Sequence, residues 1–180
     1  MVRKTEYVEV NLETRNTTPE EIISRELDSL IQERMEKTIN TEAPIKQSLL
    51  FKRVINSLSL EKIGSRILPV FIDIASKLEY ETTNDNGESV FHIDNEDYFR
   101  PTPDSKIRYS YQIPSSEGAN CILYILENSD KNTFSKSDLK KRFLNELEYQ
   151  KCGAQVEILF SQSLKDERIE ITGNGRIRKK

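Results

Sequence analysis

LLFKRVINSLSLEKIGSRI, residues Leu49–Ile67, returns in altered form as DLKKRFLNELEYQKCGAQV, residues Asp138–Val156. The two stretches align without a gap at an offset of 89 residues. Seven pairs are identical: Leu50/Leu139, Lys52/Lys141, Arg53/Arg142, Asn56/Asn145, Leu58/Leu147, Lys62/Lys151 and Gly64/Gly153. Val54/Phe143, Ile55/Leu144, Ile63/Cys152 and Ile67/Val156 keep apolar character, and four positions on Phe71 meets Phe160. A repeat of this length signals two similar domains in tandem. At roughly 60–70 residues each, they stand near the lower limit for a self-sufficient core.

The first copy places its neighbours. Leu50, Val54 and Leu58 keep helical period from Gln47 to Leu58. A turn, SLEKIGS, follows. The next apolar stripe is Ile67, Val70, Phe71, Ile74, Ala75 and Leu78. Pro69 is tolerated only in a first helical turn, so this helix should begin near Gly64–Arg66 with Ser65 as its cap. LEYETT, NDNG and SVFHI then read as a hairpin, because Asn-Gly suits its tight turn. Upstream, Thr18-Pro19-Glu20-Glu21 is a capping box with proline at the first helical position. Ile22, Ile23, Leu27, Leu30, Ile31 and Met35 continue it as one amphipathic helix that Thr41–Ile45 breaks. Before it, TEYVEVNL suggests a short strand.

The second copy repeats the order. Ser116 opens a helix carrying Ala119, Ile122, Leu123, Ile125 and Leu126, and Thr133-Phe134 is an extended link. Ser135 with Asp138 starts the second helix, and Val156, Leu159, Phe160 and Leu164 line the third. RIEITGNGRIRKK closes as a hairpin around Gly173-Asn174-Gly175. Helix, link, helix, turn, helix, hairpin is the order of a winged helix-turn-helix. The fold expected is mainly α with small β-hairpins (α+β), as two tandem winged helix-turn-helix units. Residues 1–18 form an N-terminal extension and 19–94 the first unit. Residues 95–114, with Pro101, Pro103 and Pro114, form a linker with a short strand over Ile107–Ile113. Residues 115–180 form the second unit. All six glycines are expected in turns or at helix ends.

Charge narrows the function classes. The net charge of −3 speaks against indiscriminate nucleic-acid binding. Yet residues 131–180 carry 12 basic and 7 acidic side chains, net +5, and residues 1–130 carry 15 and 23, net −8. A polyanion site therefore belongs in the second unit. In a helix-turn-helix the start of the third helix reaches the major groove. Lys62, Ser65 and Arg66 fall there in the first unit, and Lys and Arg suit guanine edges and phosphates. Their counterparts are Lys151, Ala154 and Gln155. Lys140, Lys141 and Arg142 precede the second turn, and Arg176 and Arg178 lie on the last hairpin strand, where wings touch phosphate. The alternative for all of these is a solvated charged surface. Arg108, Tyr109 and Tyr111, with Tyr98, Phe99 and Arg100, mix cations and aromatics. Such mixtures stack single-stranded bases, but more often they anchor a linker by packing.

Catalysis finds little support, so no enzyme is expected. His92 is the single histidine and sits on an expected wing strand, which disfavours a triad or a histidine metal cluster. No phosphate-binding loop is present, and no cofactor or metal is expected. Cys121 and Cys152 each lie inside an apolar pattern and read as buried free thiols of a reducing compartment. Without a signal peptide or a long apolar run, a cytoplasmic location is expected.

EAPIKQSLLFKRV and KIGSRI carry a family resemblance. They resemble an uncharacterised bacterial domain family with an acidic-Pro-apolar link, a Leu/Arg-rich helix and an Arg-x-Gly-Ser-Arg-Ile signature. Its members stand near the C-terminus of large superfamily 1 helicase-like proteins, often beside a nuclease-like domain. Ala43, Pro44, Ile45, Leu50, Arg53, Gly64, Ser65, Arg66 and Ile67 match, and Lys62 replaces the first signature arginine. The second unit fits more loosely, with Ala154 and Gln155 in place of Ser and Arg. The resemblance implies work with DNA-processing machinery. The expected function is a non-catalytic nucleic-acid-binding accessory module, contacting DNA weakly and without sequence preference. A protein-docking or dimerisation module is the alternative.

Overall fold

Thr18 caps the first helix as its sequence demands. The Glu21 N–H donates to the Thr18 hydroxyl, the Thr18 N–H donates to the Glu21 carboxylate at 2.8 Å, and Pro19 occupies the first turn. The computed structural model describes residues 1–180. Its elements in chain order are β1 (Arg3–Lys4), α1 (Pro19–Ile23), α2 (Asp28–Glu42), β2 (Ile45–Lys46), α3 (Gln47–Ser57), α4 (Leu68–Ser76), β3 (Glu81–Asp85), β4 (Glu88–His92) and β5 (Tyr98–Phe99). They continue with a 3-10 turn (Ser110–Gln112), α5 (Ser115–Glu127), α6 (Lys136–Glu146), α7 (Ala154–Ser163), β6 (Ile169–Ile171) and β7 (Ile177–Lys179). The class is α+β, with seven α-helices and small, mostly antiparallel sheets. No helix is long and apolar enough to cross a membrane.

The chain divides into two units. The first is continuous, Val8–Asp94, and the second joins Met1–Tyr7 to Asn95–Lys180. In the first, β2 pairs with β4 and β4 with β3, all antiparallel. The β3–β4 turn has Asn86 at φ 54° and Gly87 at φ 88°, the left-handed pair that a two-residue hairpin turn requires. Ile22, Ile31, Met35 and Ile39 of α1 and α2 pack with Leu50, Phe51 and Val54 of α3 and with Phe71 and Ile74 of α4. Phe71 is fully buried, edge-on to Phe51 at 5.4 Å between ring centres. Glu42 is buried as well. Its carboxylate accepts from Arg53 Nε at 3.0 Å and from the Val10 N–H at 2.9 Å. Arg53 and the acidic residue of the link are thus an internal pair.

Three local expectations are corrected in this unit. The long amphipathic helix is two helices, broken at residues 24–27, with Arg25 at φ 70°. Ser24 Oγ donates to the Glu21 carbonyl and Arg25 Nε to both Asp28 oxygens, so the turn satisfies itself while Ile22, Leu27 and Ile31 all stay buried. The third helix starts at Leu68 rather than near Gly64–Arg66, and Ser65 does not cap it. The Gly64 carbonyl instead accepts the Ile67 and Leu68 N–H groups in a preceding turn, and Pro69 falls in the first turn of α4. TEYVEVNL forms no strand beyond residue 4, since only Arg3–Lys4 pairs, in parallel, with Tyr98–Phe99.

The second unit repeats the element order. The Phe134 and Ile177 backbones exchange N–H···O bonds at 2.9 Å, which ties the extended link to β7. Ser135 caps α6, its hydroxyl accepting from the Asp138 N–H. Phe160 is fully buried against Phe143 at 5.2 Å, as the repeat predicts from Phe71. Helix α5 begins at Ser115 behind Pro114, so Ser116 lies inside it and its buried hydroxyl finds no partner. Gly118 does more than sit near a helix end. A Cβ there would come within 2.1 Å of Ser163 Oγ, so the missing side chain sets the approach of α7 to α5.

The segment read as a linker belongs to the core of this unit. Phe99 and Ile113 are buried, as are Arg100 and Arg108. Residues 107–113 form no strand. Strand alternation would bury Ile107, Tyr109, Tyr111 and Ile113 together, but Arg108 is 1% exposed while Tyr109 and Tyr111 are 42% and 49% exposed. The Arg108 guanidinium turns inward, and the backbone follows it into a 3-10 turn. Cys121 is buried as expected, whereas Cys152 is exposed beside the α6–α7 turn.

Candidate nucleic-acid interface

The ten residues singled out from sequence divide by unit. In the first, Lys62, Ser65 and Arg66 are all exposed on the loop that leads into α4. Arg66 faces Glu20 at 3.8 Å across open solvent, a pairing of little energetic weight. Together with Pro19, Ile23, Leu60, Gly64 and Ile67 they line a hollow of about 290 Å³. Its floor is apolar and its rim carries the two cations. Gly64 has an ordinary φ, and a Cβ on it would touch nothing within 4 Å. No steric need therefore accounts for the glycine, and its bare backbone leaves the hollow open. Beyond the loop, α4 turns Leu68 (41% exposed) and Ile72 (46%) to solvent.

In the second unit the basic residues fall into two settings. Lys140 Nζ donates to Glu157 Oε2 at 2.7 Å. That hydrogen bond holds the Glu157 carboxyl below its usual range and raises the Lys140 ammonium. Cys152 Sγ also donates to Glu157, at 3.4 Å. Partial burial, then this carboxylate, push the thiol up, so it is not an activated nucleophile. Arg178 is tied to Glu170 across the hairpin, and Arg176 donates to the Thr133 carbonyl and hydroxyl. Lys141, Arg142, Lys151 and Gln155 are exposed, and the three cations among them form no ion pair. Arg142 stands over the Phe134 ring at 5.1 Å, which holds its guanidinium in place without neutralising it. The structure thus keeps three of the basic candidates available and engages Lys140, Arg176 and Arg178 internally.

Helix α7 follows the turn that carries Lys151. Gly153 is its N-cap and supplies no side-chain hydrogen bond to the first-turn N–H groups, while Glu157 sets a carboxylate in that turn, at the positive end of the helix dipole. His92 lies on β4, with Nε2 2.7 Å from Thr83 Oγ1 on the neighbouring strand.

A buried ionic cluster in this unit was not anticipated from the residue pattern. Glu117 is fully buried and accepts from Arg100 Nε at 3.1 Å, Arg100 Nη2 at 2.9 Å, the Arg100 N–H at 2.9 Å, and Arg108 Nη1 and Nη2 at 2.8 and 3.1 Å. Arg108 also donates to the Arg100 carbonyl and to Thr102 Oγ1. The Tyr7 ring covers the Arg108 guanidinium at 4.2 Å. Burial alone would raise the Glu117 carboxyl. Arg100, then Arg108, outweigh it and hold the group at about 2. A signal did exist: Glu117 shares the stripe of Cys121 and Ile125, where a carboxylate needs an inward partner. Comparison with protein-family models, curated proteins and solved structures finds no match for the chain.

Proposed function

We propose that the chain is a non-catalytic nucleic-acid-binding accessory module built on two winged-helix units. The winged-helix reading rests on topology. Each unit runs helix, strand, helix, helix, hairpin, with its first strand or bridge joined to the last strand of the hairpin. The binding reading rests on one observation above all. Lys141, Arg142 and Lys151 are exposed and outside any ion pair, and Lys151 stands just before the uncapped start of α7. Exposed cations beside free helix N–H groups suit phosphate. Charge supports the same unit. The first unit carries 10 basic and 16 acidic side chains, the second 17 and 14.

Few available cations mean few phosphate contacts, so binding to duplex DNA is weak and non-specific. It falls steeply with salt, because each neutralised phosphate releases counterions. A helicase- or nuclease-type partner is the context suggested by the resemblance of the first unit. Fluorescence anisotropy of a labelled duplex, titrated with the full chain at several salt concentrations, tests the reading. Lys141→Glu with Lys151→Glu should flatten the salt slope and weaken binding on all sequences alike. No binding to duplex or single strand at low salt would overturn it.

A second reading has its own observation. Leu68 and Ile72 stand exposed on α4, next to the apolar hollow rimmed by Lys62 and Arg66. Exposed apolar side chains beside a hollow suit protein docking better than base reading. In this reading the first unit holds a protein partner while the second touches nucleic acid. Loss of partner binding in Leu68→Asp, with DNA affinity intact, is its test.

A further inference from the structure

The two units treat one repeated arginine differently. Helices α3 and α6 match residue for residue at the offset of 89, Gln47–Ser57 against Lys136–Glu146, so Arg53 and Arg142 occupy the same helical position. Arg53 is surrounded by carboxylate. Glu42 accepts from its Nε at 3.0 and 3.2 Å, and Glu9 meets its Nη1 at 2.7 Å. Glu9 arrives on an extended segment that lies against α2 and α3, with the Val10 N–H on Glu42 and Leu12 packed on the core. Arg142 has no such partner. At the same offset Glu42 is replaced by Lys131. The last residue of α5 is Glu127, but it is engaged by Lys179 and the Val2 N–H. Lys131 and Arg142 both stand on the buried Phe134 ring, at 5.8 and 5.1 Å, and neither forms an ion pair. Two like charges gathered on one ring, with no counter-charge, favour an anion beside them.

We infer that Arg142 and Lys131 are the seat for a glutamate of an extended acidic segment supplied by a partner protein. The first unit shows the occupant, since Glu9 and Val10 fill the corresponding place between α2 and α3. Space is present in the second unit. Arg142 borders a hollow of about 390 Å³ between α5 and α6, lined also by Tyr124, Asn128, Asn145 and Glu146. Glu146 does not supply the missing charge to Arg142, because Lys4 holds it at 3.3 Å. The surrounding stretch is complementary to an acidic ligand: residues 128–145 carry 5 basic and 2 acidic side chains, and one of the two, Asp138, lies in the first turn of α6. A planar guanidinium takes a carboxylate through two parallel N–H groups, as Arg53 does with Glu42 through one, so a glutamate suits Arg142 better than it suits a lysine.

The probe is a labelled peptide with the sequence of residues 8–13, VEVNLE, titrated with the full chain at low salt and read by fluorescence anisotropy. Saturable binding is expected, weakened at least about fivefold by Arg142→Ala and further by adding Lys131→Ala. Arg142 is exposed and its thermal melt should match the parent chain. A peptide with glutamine in place of its first glutamate leaves the protein untouched and should lose affinity to the same extent. Lys141→Glu with Lys151→Glu, which tests the duplex reading, should leave most of the peptide affinity in place, so the two readings fail separately. No binding of the peptide, or binding indifferent to Arg142→Ala, overturns the inference. Equal loss in the Lys141/Lys151 variant shows only diffuse attraction and overturns it too. Duplex affinity that falls with Arg142→Ala while the peptide does not bind assigns the seat to phosphate instead.

Discussion

Replacing Glu117 by glutamine removes one negative charge from a site with two buried guanidinium groups. Glutamine keeps the shape but accepts on one atom only, and its amide N–H groups face the arginine donors. The magnitude follows from the structure in two ways. Holding the carboxyl at about 2, against an ordinary 4.5, is worth about 3 kcal/mol at neutral pH, at roughly 1.4 kcal/mol per pH unit. Breaking a buried ion pair by removing one partner costs about 3–5 kcal/mol. The two agree near 3. For a domain of this size each kcal/mol moves Tm by about 4–8 °C, so the second unit should melt about 12–24 °C lower. The sign with pH is fixed as well. Because the folded carboxyl titrates lower than the unfolded one, its contribution is complete above about pH 4.5 and fades as pH falls toward 2. The gap between parent and variant should therefore be widest at neutral pH and close in acid. Hydrogen exchange read by mass spectrometry, or urea melts at several pH values, separates Val8–Asp94 from the rest of the chain. A loss below about 1 kcal/mol at neutral pH, or a gap that does not change with pH, would refute the reasoning.

Truncating Phe71 or Phe160 to alanine should cost about 3–5 kcal/mol in its own unit, since each is fully buried in an aromatic pair; a melt unchanged by either would contradict the packing. Gly118→Ala should destabilise the second unit by about 1–3 kcal/mol, because its Cβ collides with the short, buried Ser163 side chain rather than a flexible end. Toward a thiol reagent in the native state, Cys121 should stay silent until unfolding, and Cys152 should react more slowly than a free cysteine. Glu157→Gln should speed Cys152, as it removes the carboxylate that disfavours the thiolate.

What could be read from the chain was what local pattern decides. The Thr18 and Ser135 caps, the Asn86-Gly87 turn and the buried phenylalanines depend on neighbours a few residues away, and the repeat set Phe71 against Phe160 as a second copy. What escaped depended on distant partners. The break at residues 24–27 interrupts a stripe whose periodicity is unbroken, because a left-handed Arg25 is held by Asp28. The 95–114 segment carries the prolines of a linker, yet Arg108 and Arg100 find their counter-charge on α5, and only the fold brings them to Glu117. The basic candidates met the same limit. Sequence marks Lys140 and Lys141 alike, but Glu157 engages one and leaves the other. Tyr109 and Tyr111 alternate as strand residues facing the core, and it is the inward turn of Arg108 that leaves them outside.

Residues 1–7 complete a unit whose remainder begins only at Asn95. Arg3 pairs with Tyr98, Val2 is buried in that core, and its N–H donates to Glu127. On the ribosome this gives an order of events. Strand β1 is made before β5 and until then has nothing to pair with. Residues 8–94, contiguous and with their own core, are free to fold while synthesis continues. Residues 1–7 must then be recaptured across that inserted unit, a long loop closure that comes late and slowly. Until then the core of the second unit lacks Val2 and its parallel strand pair, so its assembly waits on residues that the inserted unit separates from the rest of it.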